Sequence, residues 1–562
     1  MVLCGLQCRA EKDHGPDSRK KMVEVGPSSS GDPYARHFRQ YTVARDLPGP
    51  AYAVIADVDR DGNLDIVASS YGPRGAEIHP GRVTLFKRSG GLGTWTSTEI
   101  AGEDQGLHFP NKVTIADVDN DGDMDVIVPV GFFICLFGDL ECGALVWFEQ
   151  ASGRWIRHDI VPNGSHASFT QARLADIDAD GVQDLVTVAE ERNPDGSGDL
   201  VNGWSSKAVA QWFKGTTTPD RFEHKPRVMG VGLGSFPTVL DIDKDGDLDV
   251  ASAEFFLEKT LDKYGFAWME QTRAPGPASP SGRWVRHVIA DDLGPAIELL
   301  FVPNLLGDGM LRAVGSVHVM DKAVSGFDSS IYLFDIPADP RGPWPAKAIS
   351  QGIRPSGRKG QDRAPGVLGW GDVDHDGDID ITASGDGDPR VFVLEQVQDH
   401  SFRTHAIEEN LGQASGMEVG DLDKDGRAEI VVTGYENNVI YIYEWSDTEV
   451  PRSGHADKPM ESPQDKGTAS ARRAQDSCLD KACVNPDGNT HKDCTCAAKY
   501  CVPDVNGLQY ANLTRLTCIV KDCVVGDTAT CPPDRTCRKI PSFVRLLMKG
   551  RGIDMPSTVC TP

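Results

Sequence analysis

The chain has 562 residues, longer than one ordinary domain, so we expect several domains or one large repeat fold. Its 57 lysines and arginines against 83 aspartates and glutamates give a net charge of −26, which argues against nucleic acid and anionic membranes as partners. No stretch approaches the ~20 apolar residues of a transmembrane helix, so we expect no transmembrane span.

Residues 1–32 begin MVLCGLQCRAEKDHG, in which the apolar stretch is too short for the core of a signal peptide. We expect this segment to be disordered. Two interpretations stay open: a truncated signal or lipoprotein region with Cys8 as a lipid-modified cysteine, or an ordinary disordered tail.

Residues 117–128, DVDNDGDMDVIV, place five aspartates at alternate positions before a β-branched apolar run. Like charges about 4 Å apart oppose folding by roughly 4 kcal/mol per pair at an effective dielectric constant of about 20, unless a cation neutralises them. Ca²⁺ takes side-chain oxygens at positions 1, 3 and 5 of such a loop and a carbonyl at position 7, with glycine at position 6. An EF-hand adds glutamate at position 12, whereas here Asp125 at position 9 must complete the shell. The loop is therefore flanked by strands.

Six copies of this motif indicate about six Ca²⁺ sites, whereas a single copy would be equally consistent with a solvated acidic turn. A seventh, altered copy begins at Asn304, where Leu306 and Arg312 replace ligands and the arginine side chain is expected to stand in for the cation. The predicted ligands, at positions 1, 3, 5, 7 and 9 of the six loops, are Asp57, Asp59, Asp61, Asn63 and Asp65; Asp117, Asp119, Asp121, Asp123 and Asp125; Asp176, Asp178, Asp180, Val182 and Asp184; Asp241, Asp243, Asp245, Asp247 and Asp249; Asp372, Asp374, Asp376, Asp378 and Asp380; and Asp421, Asp423, Asp425, Arg427 and Glu429.

Successive motifs are separated by 60, 59, 65, 63, 68 and 49 residues, a period typical of propeller blades or solenoid units. Each unit has a short strand before the aspartates, a second directly after them, a third such as LVWFEQ at 145, and a fourth that begins with an aromatic residue, such as WIRHDI at 155. Third strands occur seven times, but only six are followed by a fourth. The remaining fourth strand is FRQYTV from Phe38, ahead of the first motif.

A ring that uses its first strand to complete its last blade explains this displaced segment, since closure leaves no free outer edge for pairing. We therefore predict an all-β fold, a seven-bladed β-propeller over residues 33–446 closed by the N-terminal strand. An open β-solenoid would also stack repeats, but it needs no displaced strand.

Residues 447–477 are polar, charged and aperiodic, which predicts a flexible linker. Residues 478–562 hold ten of the 14 cysteines without any C-x2-C pair, so we expect a small module with about five disulfide bonds in preference to a zinc site. This cysteine density favours an oxidising compartment, and we expect an extracellular, periplasmic or cell-surface protein.

The units resemble FG-GAP and VCBS repeats, the calcium-binding blades of integrin α-chain propellers and of many secreted bacterial proteins. The resemblance rests on D-x-D-x-D-G-x-x-D in register with strands like WFEQ, and it covers about three quarters of the chain. It implies a calcium-binding propeller of the kind used in adhesion or carbohydrate binding. The literal FG…GAP signature is absent, which favours the VCBS-like branch. Similar propellers in fungal aldos-2-ulose dehydratases and some polysaccharide lyases imply the alternative of catalysis on a sugar.

The predicted blades separate metal and ligand sites. All first-to-second turns lie on one face of the disc, so the connections between second and third strands emerge on the other, where loops 131–143, 190–207 and 254–264 are long. Long loops on a rigid scaffold commonly carry binding sites, so we expect a monomer that binds a carbohydrate or protein ligand through this face. Its aromatic residues are candidates for stacking on sugar rings or for capping the core: Trp204, Phe132 and Phe255.

No nucleophile elbow, P-loop, H-E-x-x-H or dinucleotide motif occurs, so the sequence favours a binding protein over an enzyme. The alternative is a sugar lyase or dehydratase with an acid-base site at the channel mouth. Its candidate side chains are Glu190, Glu254, His318 and His108, with Asp386 and His166 nearby. They are equally consistent with solvated or ion-paired loop residues. A third interpretation is that the propeller only displays the cysteine-rich module.

Overall fold

The computed structural model describes residues 26–27, 30–73, 79–131, 143–165, 167–192, 206–254, 265–318, 329–353 and 364–450. It also describes four short C-terminal strands, which pair in two antiparallel ladders: Cys501–Pro503 with Leu516–Cys518, and Thr536–Lys539 with Thr558–Thr561. Most of the predicted N-terminal segment, linker and cysteine-rich module lies outside the described residues. The disulfide-bonded module therefore stays a prediction.

The described fold is all-β, with seven antiparallel four-stranded sheets around one axis. We number these blades in chain order and count strands outward from the axis. Blade 1 consists of Pro50–Ala56, Asp65–Ser70, Arg82–Arg88 and Trp95–Ala101; blade 2 of Thr114–Ala116, Asp125–Val130, Gly143–Ala151 and Arg154–Ser165; blade 3 of Ala167–Ala175, Asp184–Arg192, Ser206–Phe213 and Arg227–Val231; blade 4 of Ser235–Leu240, Asp249–Ala253, Phe266–Arg273 and Arg283–Ala290; blade 5 of Ala296–Pro303, Leu311–Val317, Ser330–Asp335 and Ala346–Ala348; blade 6 of Leu368–Gly371, Asp380–Ser384, Val391–Val397 and Ser401–Glu408; and blade 7 of Ala414–Gly420, Glu429–Gly434, Val439–Trp445 and Phe38–Arg45. Short 3₁₀ helices cover Tyr34–His37, Glu103–Gln105 and Gln398–His400.

The ring closes through blade 7, as the sequence predicts. Its fourth strand is the N-terminal Phe38–Arg45, which runs antiparallel to Val439–Trp445, so that the two ends of the propeller complete one sheet. The two-residue strand Gly26–Pro27 adds to the outer edge of this sheet. The seven-bladed propeller predicted from the displaced fourth strand is confirmed.

Apolar side chains pack between neighbouring blades all the way round the ring. The second strands are buried along their whole length in blades 1, 2 and 7, which explains their β-branched and small residues. Seven hydrophobic clusters each join two consecutive blades, including one between blades 7 and 1. Because every blade buries both faces against neighbours, the ring depends on the packing of all seven.

The metal loops of adjacent blades lie on the same face of the ring. Arg60, in the loop of blade 1, places Nη2 3.3 Å from Asp117 Oδ2 in the loop of blade 2. Lys424, in the loop of blade 7, donates to the carbonyl oxygen of Gly62 in blade 1. These contacts support the assignment of all first-to-second turns to one face.

A buried charge cluster crosses the axis. Lys112, just before the first strand of blade 2, places Nζ 3.3 Å from Glu418 Oε2 and 3.7 Å from Glu298 Oε1. The N–H of Leu368 also donates to Glu298 Oε2 at 2.6 Å. Burial alone would lower the pKa of Lys112, but Glu418 and Glu298 outweigh that effect and raise it. The cluster joins blades 2, 5 and 7 through the middle of the ring.

We expect Lys112→Met to lower the free energy of unfolding by about 3–5 kcal/mol, because it removes the cation nearest to buried Glu298 and leaves Arg173 as the remaining positive charge of the cluster. Urea unfolding in the presence of calcium measures this. Lys347→Met is the matched control, since Lys347 is exposed on the outer strand of blade 5. If Lys112→Met lowered the free energy of unfolding no more than Lys347→Met does, a structural role for the axial cluster would be contradicted.

Candidate metal centres and the opposite face

Backbone donors shape each metal loop. In blade 2 the N–H of Gly122 donates to Asp117 Oδ2 at 3.2 Å, and the N–H of Asp121 donates to Asp119 Oδ1 at 3.1 Å. Gly122 has a φ of 103°, a left-handed conformation that glycine adopts without a Cβ clash. The same bond from the glycine at position 6 to the carboxylate at position 1 recurs in the other five loops. The loop conformation therefore follows from the D-x-D-x-D-G spacing.

The carboxylate at position 9 ties each loop to the blade. Asp125 is fully buried; its Oδ2 accepts from the N–H of Val118 at 2.8 Å, and its Oδ1 accepts from the N–H of Gln150, on the third strand, at 2.9 Å. Equivalent pairs of bonds occur in blades 1, 3, 4 and 6. In blade 7, Glu429 accepts only the loop N–H, from Leu422 at 2.7 Å.

In each of five loops, three carboxylates lie close enough together to bind one ion. In each, three side chains offer one oxygen apiece, and these oxygens lie within 4.8 Å of one another. The groups are Asp57, Asp59 and Asp61; Asp117, Asp119 and Asp125; Asp176, Asp178 and Asp184; Asp241, Asp243 and Asp245; and Asp372, Asp374 and Asp380.

Blade 5 keeps the loop but replaces the cation. The N–H of Gly309 donates to Asn304 Oδ1 at 2.6 Å, as the glycine does in the acidic loops. Arg312, at position 9, donates from both terminal nitrogens to Asp308, at 2.8 and 2.7 Å, and from Nε to Asp335 at 2.8 Å. These hydrogen bonds raise the pKa of Arg312 and lower that of Asp308. The guanidinium group therefore occupies the role that the sequence suggests for it.

On the opposite face, two of the predicted acid-base candidates lie apart from other reactive groups. Glu190 ends the second strand of blade 3 and is buried, and neither carboxyl oxygen has a hydrogen-bond partner among the described residues. Burial raises its pKa well above the ordinary value. Glu254, in blade 4, is buried against Arg286, which only partly offsets the rise in pKa caused by burial.

The predicted histidines have different surroundings. His318 is buried, with Nδ1 2.8 Å from the carbonyl oxygen of Pro365 and Nε2 3.2 Å from Asp386 Oδ2. His108 is partly exposed on the connection between blades 1 and 2, and burial lowers its pKa. Only His318 and Asp386 are brought together by the fold. The other side chains predicted for this face lie outside the described residues: His166, Trp204, Phe132 and Phe255.

Aromatic and polar side chains surround the axis at this end. Tyr71 hydroxyl donates to Asn111 Oδ1 at 2.6 Å, and the Tyr71 ring packs edge-on against Tyr435 with centroids 6.0 Å apart. Tyr52 packs edge-on against Phe236 at 5.7 Å. These residues belong to the ends of inner and second strands, so rigid elements position them.

A family model described as an FG-GAP-like repeat matches residues 57–128 and 372–432. The chain carries FG-GAP-like repeats. Each matched region runs from the loop of one blade to the second strand of the next, through blades 1 and 2 and through blades 6 and 7. The loops at Asp176 and Asp241 repeat the same hydrogen bonds, so the FG-GAP-like geometry extends to blades 3 and 4.

No curated protein matches the chain. Comparison with solved structures finds matches of low sequence identity. An α-L-arabinofuranosidase from Fusarium graminearum has 11% identity over 76% of this chain and 98% of its own, with a TM-score of 0.39. The rhamnogalacturonan lyase YesW has 13% identity over 76% and 77%, with a TM-score of 0.37, and a glucose dehydrogenase has 12% over 72% and 99%, with a TM-score of 0.34. In the described part of the chain, no helix has the length and hydropathy needed to cross a membrane.

The FG-GAP-like loops fit a hard divalent cation. Buried carboxylate oxygens without any hydrogen-bond donor remain in five of them: Oδ1 of Asp57, Asp117, Asp178, Asp374 and Asp423, together with Oε1 of Glu429. A buried acceptor without a donor is costly, and an ion with six to eight oxygen ligands would satisfy several at once. Val182 and Arg427 offer only backbone carbonyls at position 7, and the Arg427 side chain pairs with Asp447 instead.

Burial raises the pKa of every position-9 carboxyl group. The pKa rises to about 6 for Asp65, Asp125 and Asp184, to about 7 for Asp249, and to about 8 for Asp380 and Glu429. Neighbouring carboxylates add to this rise. Without metal at neutral pH, Asp380 and Glu429 are therefore mostly protonated, whereas Asp65, Asp125 and Asp184 are mostly ionised. A cation would have to displace the protons that remain.

Sequence reasoning missed a residue at or just beyond the end of each third strand, beside the loop of the same blade. We call it the flanking residue. In blades 1, 2, 3, 4 and 6 it immediately precedes the residue whose backbone N–H donates to the position-9 carboxylate. In blades 5 and 7 it is the residue at the corresponding place in the repeat. The flanking residues are Lys87, Glu149, Lys214, Glu270, Asp335, Glu395 and Glu444. In blades 2, 4 and 6 the glutamate contacts a histidine of the fourth strand, at 2.7, 2.5 and 2.9 Å. The recurrence of a charged residue at this one place in the seven repeats was the available signal.

We expect the metal-free protein to lose thermal stability as the pH rises from about 5 to about 8. A group whose pKa is raised by folding stabilises the fold below its unfolded pKa, and this contribution is lost as the pH rises through the folded value. In EDTA, the melting temperature should fall by at least about 5 °C between pH 5 and pH 8. Saturating Ca²⁺ should abolish this pH dependence.

Asp380→Asn is the variant control, because its side chain cannot ionise; in EDTA it should lose less stability over the same pH range than the wild type. Wild-type stability in EDTA that rises across this range would contradict the assignment.

Proposed function

We propose that this protein is a calcium-stabilised β-propeller, secreted or on a cell surface, that binds a carbohydrate or protein ligand through the face opposite its metal loops. The observation that carries the calcium part is the set of buried, donor-free carboxylate oxygens in the loops. Ca²⁺ would be held by positions 1, 3, 5, 7 and 9, where it would neutralise the acidic turns and pin the first and second strands of each blade. The loops would then serve stability.

The ligand would bind at the other end of the axis. Tyr52, Tyr71 and Tyr435 offer partly exposed rings there, beside the carboxylate of Asp386 and the amide of Gln413, whose Nε2 lies 3.4 Å from Asp386 Oδ1. Rings with hydrogen-bonding groups nearby suit the apolar and polar faces of a sugar, so a carbohydrate is favoured. The axial Lys112 cluster lies behind this surface, which supports binding at the mouth over threading through the ring.

A second candidate, a sugar lyase or dehydratase, is supported only by the pair His318 and Asp386. A histidine beside a carboxylate can transfer a proton, and both residues lie just beyond the ends of second strands. Glu254 is neutralised by Arg286, and no described charged group shifts the pKa of Glu190, which argues against a joint role for them. Bond cleavage in a panel of polysaccharides, lost in His318→Gln, would favour this candidate.

We further propose the chain organisation expected from sequence: a monomeric propeller over residues 33–446, a flexible linker over 447–477, and a disulfide-bonded module over 478–562. The part of the propeller described here is self-contained, since its blades pack on one another around a closed ring. Export to an oxidising compartment would suit both the cysteines and the calcium loops.

A glycan array probed with the full chain tests the ligand face. We expect binding in calcium that is lost in EDTA, and at least about tenfold weaker binding for Tyr435→Ala and Asp386→Asn. Ile156→Ala is the control, because Ile156 is 45% exposed on the outer strand of blade 2, away from the axis. Binding at the channel mouth would be contradicted if Ile156→Ala weakened glycan binding as much as the mouth variants. It would also be contradicted if neither Tyr435→Ala nor Asp386→Asn changed glycan binding.

A further inference from the structure

The loop of blade 3 contains its own cation. Lys214, the flanking residue of this blade, places Nζ 2.5 Å from Asp178 Oδ2 and 2.6 Å from Asp180 Oδ2. The ammonium group thus bridges the carboxylates at positions 3 and 5 of one loop. Its side chain is only 21% exposed, and its ion pairs among the described residues are these two.

The other acidic loops lack such a bridge. Lys87, in blade 1, reaches only the position-3 carboxylate, with Nζ 2.9 Å from Asp59 Oδ2. In blade 4, Arg341 contacts Asp243 at 2.5 Å, but it also contacts the flanking Glu270 at 2.6 Å, which balances its charge. Blades 2, 6 and 7 have a glutamate as the flanking residue. In blade 2, Arg60 lies 3.3 Å from Asp117 and Arg221 lies 4.0 Å from Asp119, so each arginine approaches one carboxylate and neither bridges two.

In blade 5, a side-chain cation has replaced one of the metal ligands altogether. There Arg312 has replaced a ligand and donates two hydrogen bonds to Asp308 and one to the flanking Asp335. The loop keeps the hydrogen bond from the glycine at position 6 to the side chain at position 1. A protein cation can therefore hold this turn in place of a metal. Lys214 does the same in part, but in a loop that retains all four acidic ligands.

We propose that Lys214 is a built-in counter-cation that holds the third loop without metal and makes it the weakest calcium site of the six. This rests on the proposed calcium function. Lys214 engages Oδ2 of Asp178 and of Asp180, whereas the Asp178 oxygen left without a donor is Oδ1. An ion held by Asp178 Oδ1 would therefore lie close to the ammonium group, and repulsion between the two cations would weaken its binding. The third loop would then fill last, and Lys87 would weaken the first loop to a smaller degree.

Lys214→Met tests this, because methionine keeps the length of the side chain and removes the charge. In calorimetric titration with Ca²⁺, we expect the weakest phase of the wild-type isotherm to tighten at least tenfold. In EDTA the variant should melt below the wild type, and saturating Ca²⁺ should close the gap. Lys347→Met, on the exposed outer strand of blade 5, is the control and should leave the isotherm unchanged.

A pair of milder variants tests the same claim if Lys214→Met does not fold. Asp180→Asn and Asp245→Asn each alter position 5 of one loop, in blades 3 and 4. We expect Asp180→Asn to delete the weakest phase and Asp245→Asn to delete a tighter one. Deletion of a tight phase by Asp180→Asn, or identical isotherms for Lys214→Met and Lys347→Met, overturns the proposal. A wild-type protein that binds no Ca²⁺ overturns the calcium function itself, which is a distinguishable result.

Discussion

A buried carboxylate begins the second strand of six blades, and the conformation around it depends on how its charge is balanced. In blade 2, Asp125 accepts one N–H from the loop before it and one from the third strand, so a single side chain joins three segments of the blade. The carboxylates at positions 1, 3 and 5 are then turned toward it by backbone donors. This arrangement concentrates negative charge and leaves oxygens without donors, which a cation can satisfy. Blade 5 solves the same problem with Arg312.

The acidic turns and the axial cluster place charge at two levels of the ring. Around the rim of one face, Arg60 and Lys424 join the loop of blade 1 to the loops of blades 2 and 7. At the axis, Lys112 draws carboxylates from blades 5 and 7 together. Seven apolar clusters fill the space between blades. The blades that position Tyr52, Tyr71 and Tyr435 at the opposite end of the axis are therefore held in place by apolar packing and by ion pairs.

Much of the fold could be predicted from sequence because its determinants are local and repeated. The D-x-D-x-D-G spacing specifies a turn, the apolar run after it specifies a buried strand, and the displaced segment at Phe38 specifies ring closure. The expectation that each fourth strand begins with an aromatic residue was wrong for blade 3, where the strand begins at Arg227 and the preceding aromatic residue, Phe222, forms only an isolated bridge. The stand-in role of Arg312 was predictable because it occupies a ligand position.

The axial cluster could not be predicted, since Lys112, Glu298 and Glu418 are brought together from blades far apart in sequence. The same limit applies to the channel mouth. Glu190, Glu254 and His318 occupy equivalent strand ends, yet burial, an arginine and an aspartate give them different surroundings. The sequence shows where Glu190, Glu254 and His318 lie relative to their strands. It does not show which side chains contact them, because those side chains belong to other strands or other blades.

A crystal structure of the full chain grown in saturating calcium, with the ions identified by anomalous scattering, tests the central claim most directly. It should show one ion in each of the six acidic loops, with protein oxygens at about 2.3–2.6 Å, and none between Asn304 and Arg312. Acidic loops that hold only water, or that are crossed by lysine and arginine side chains at saturating calcium, would contradict it.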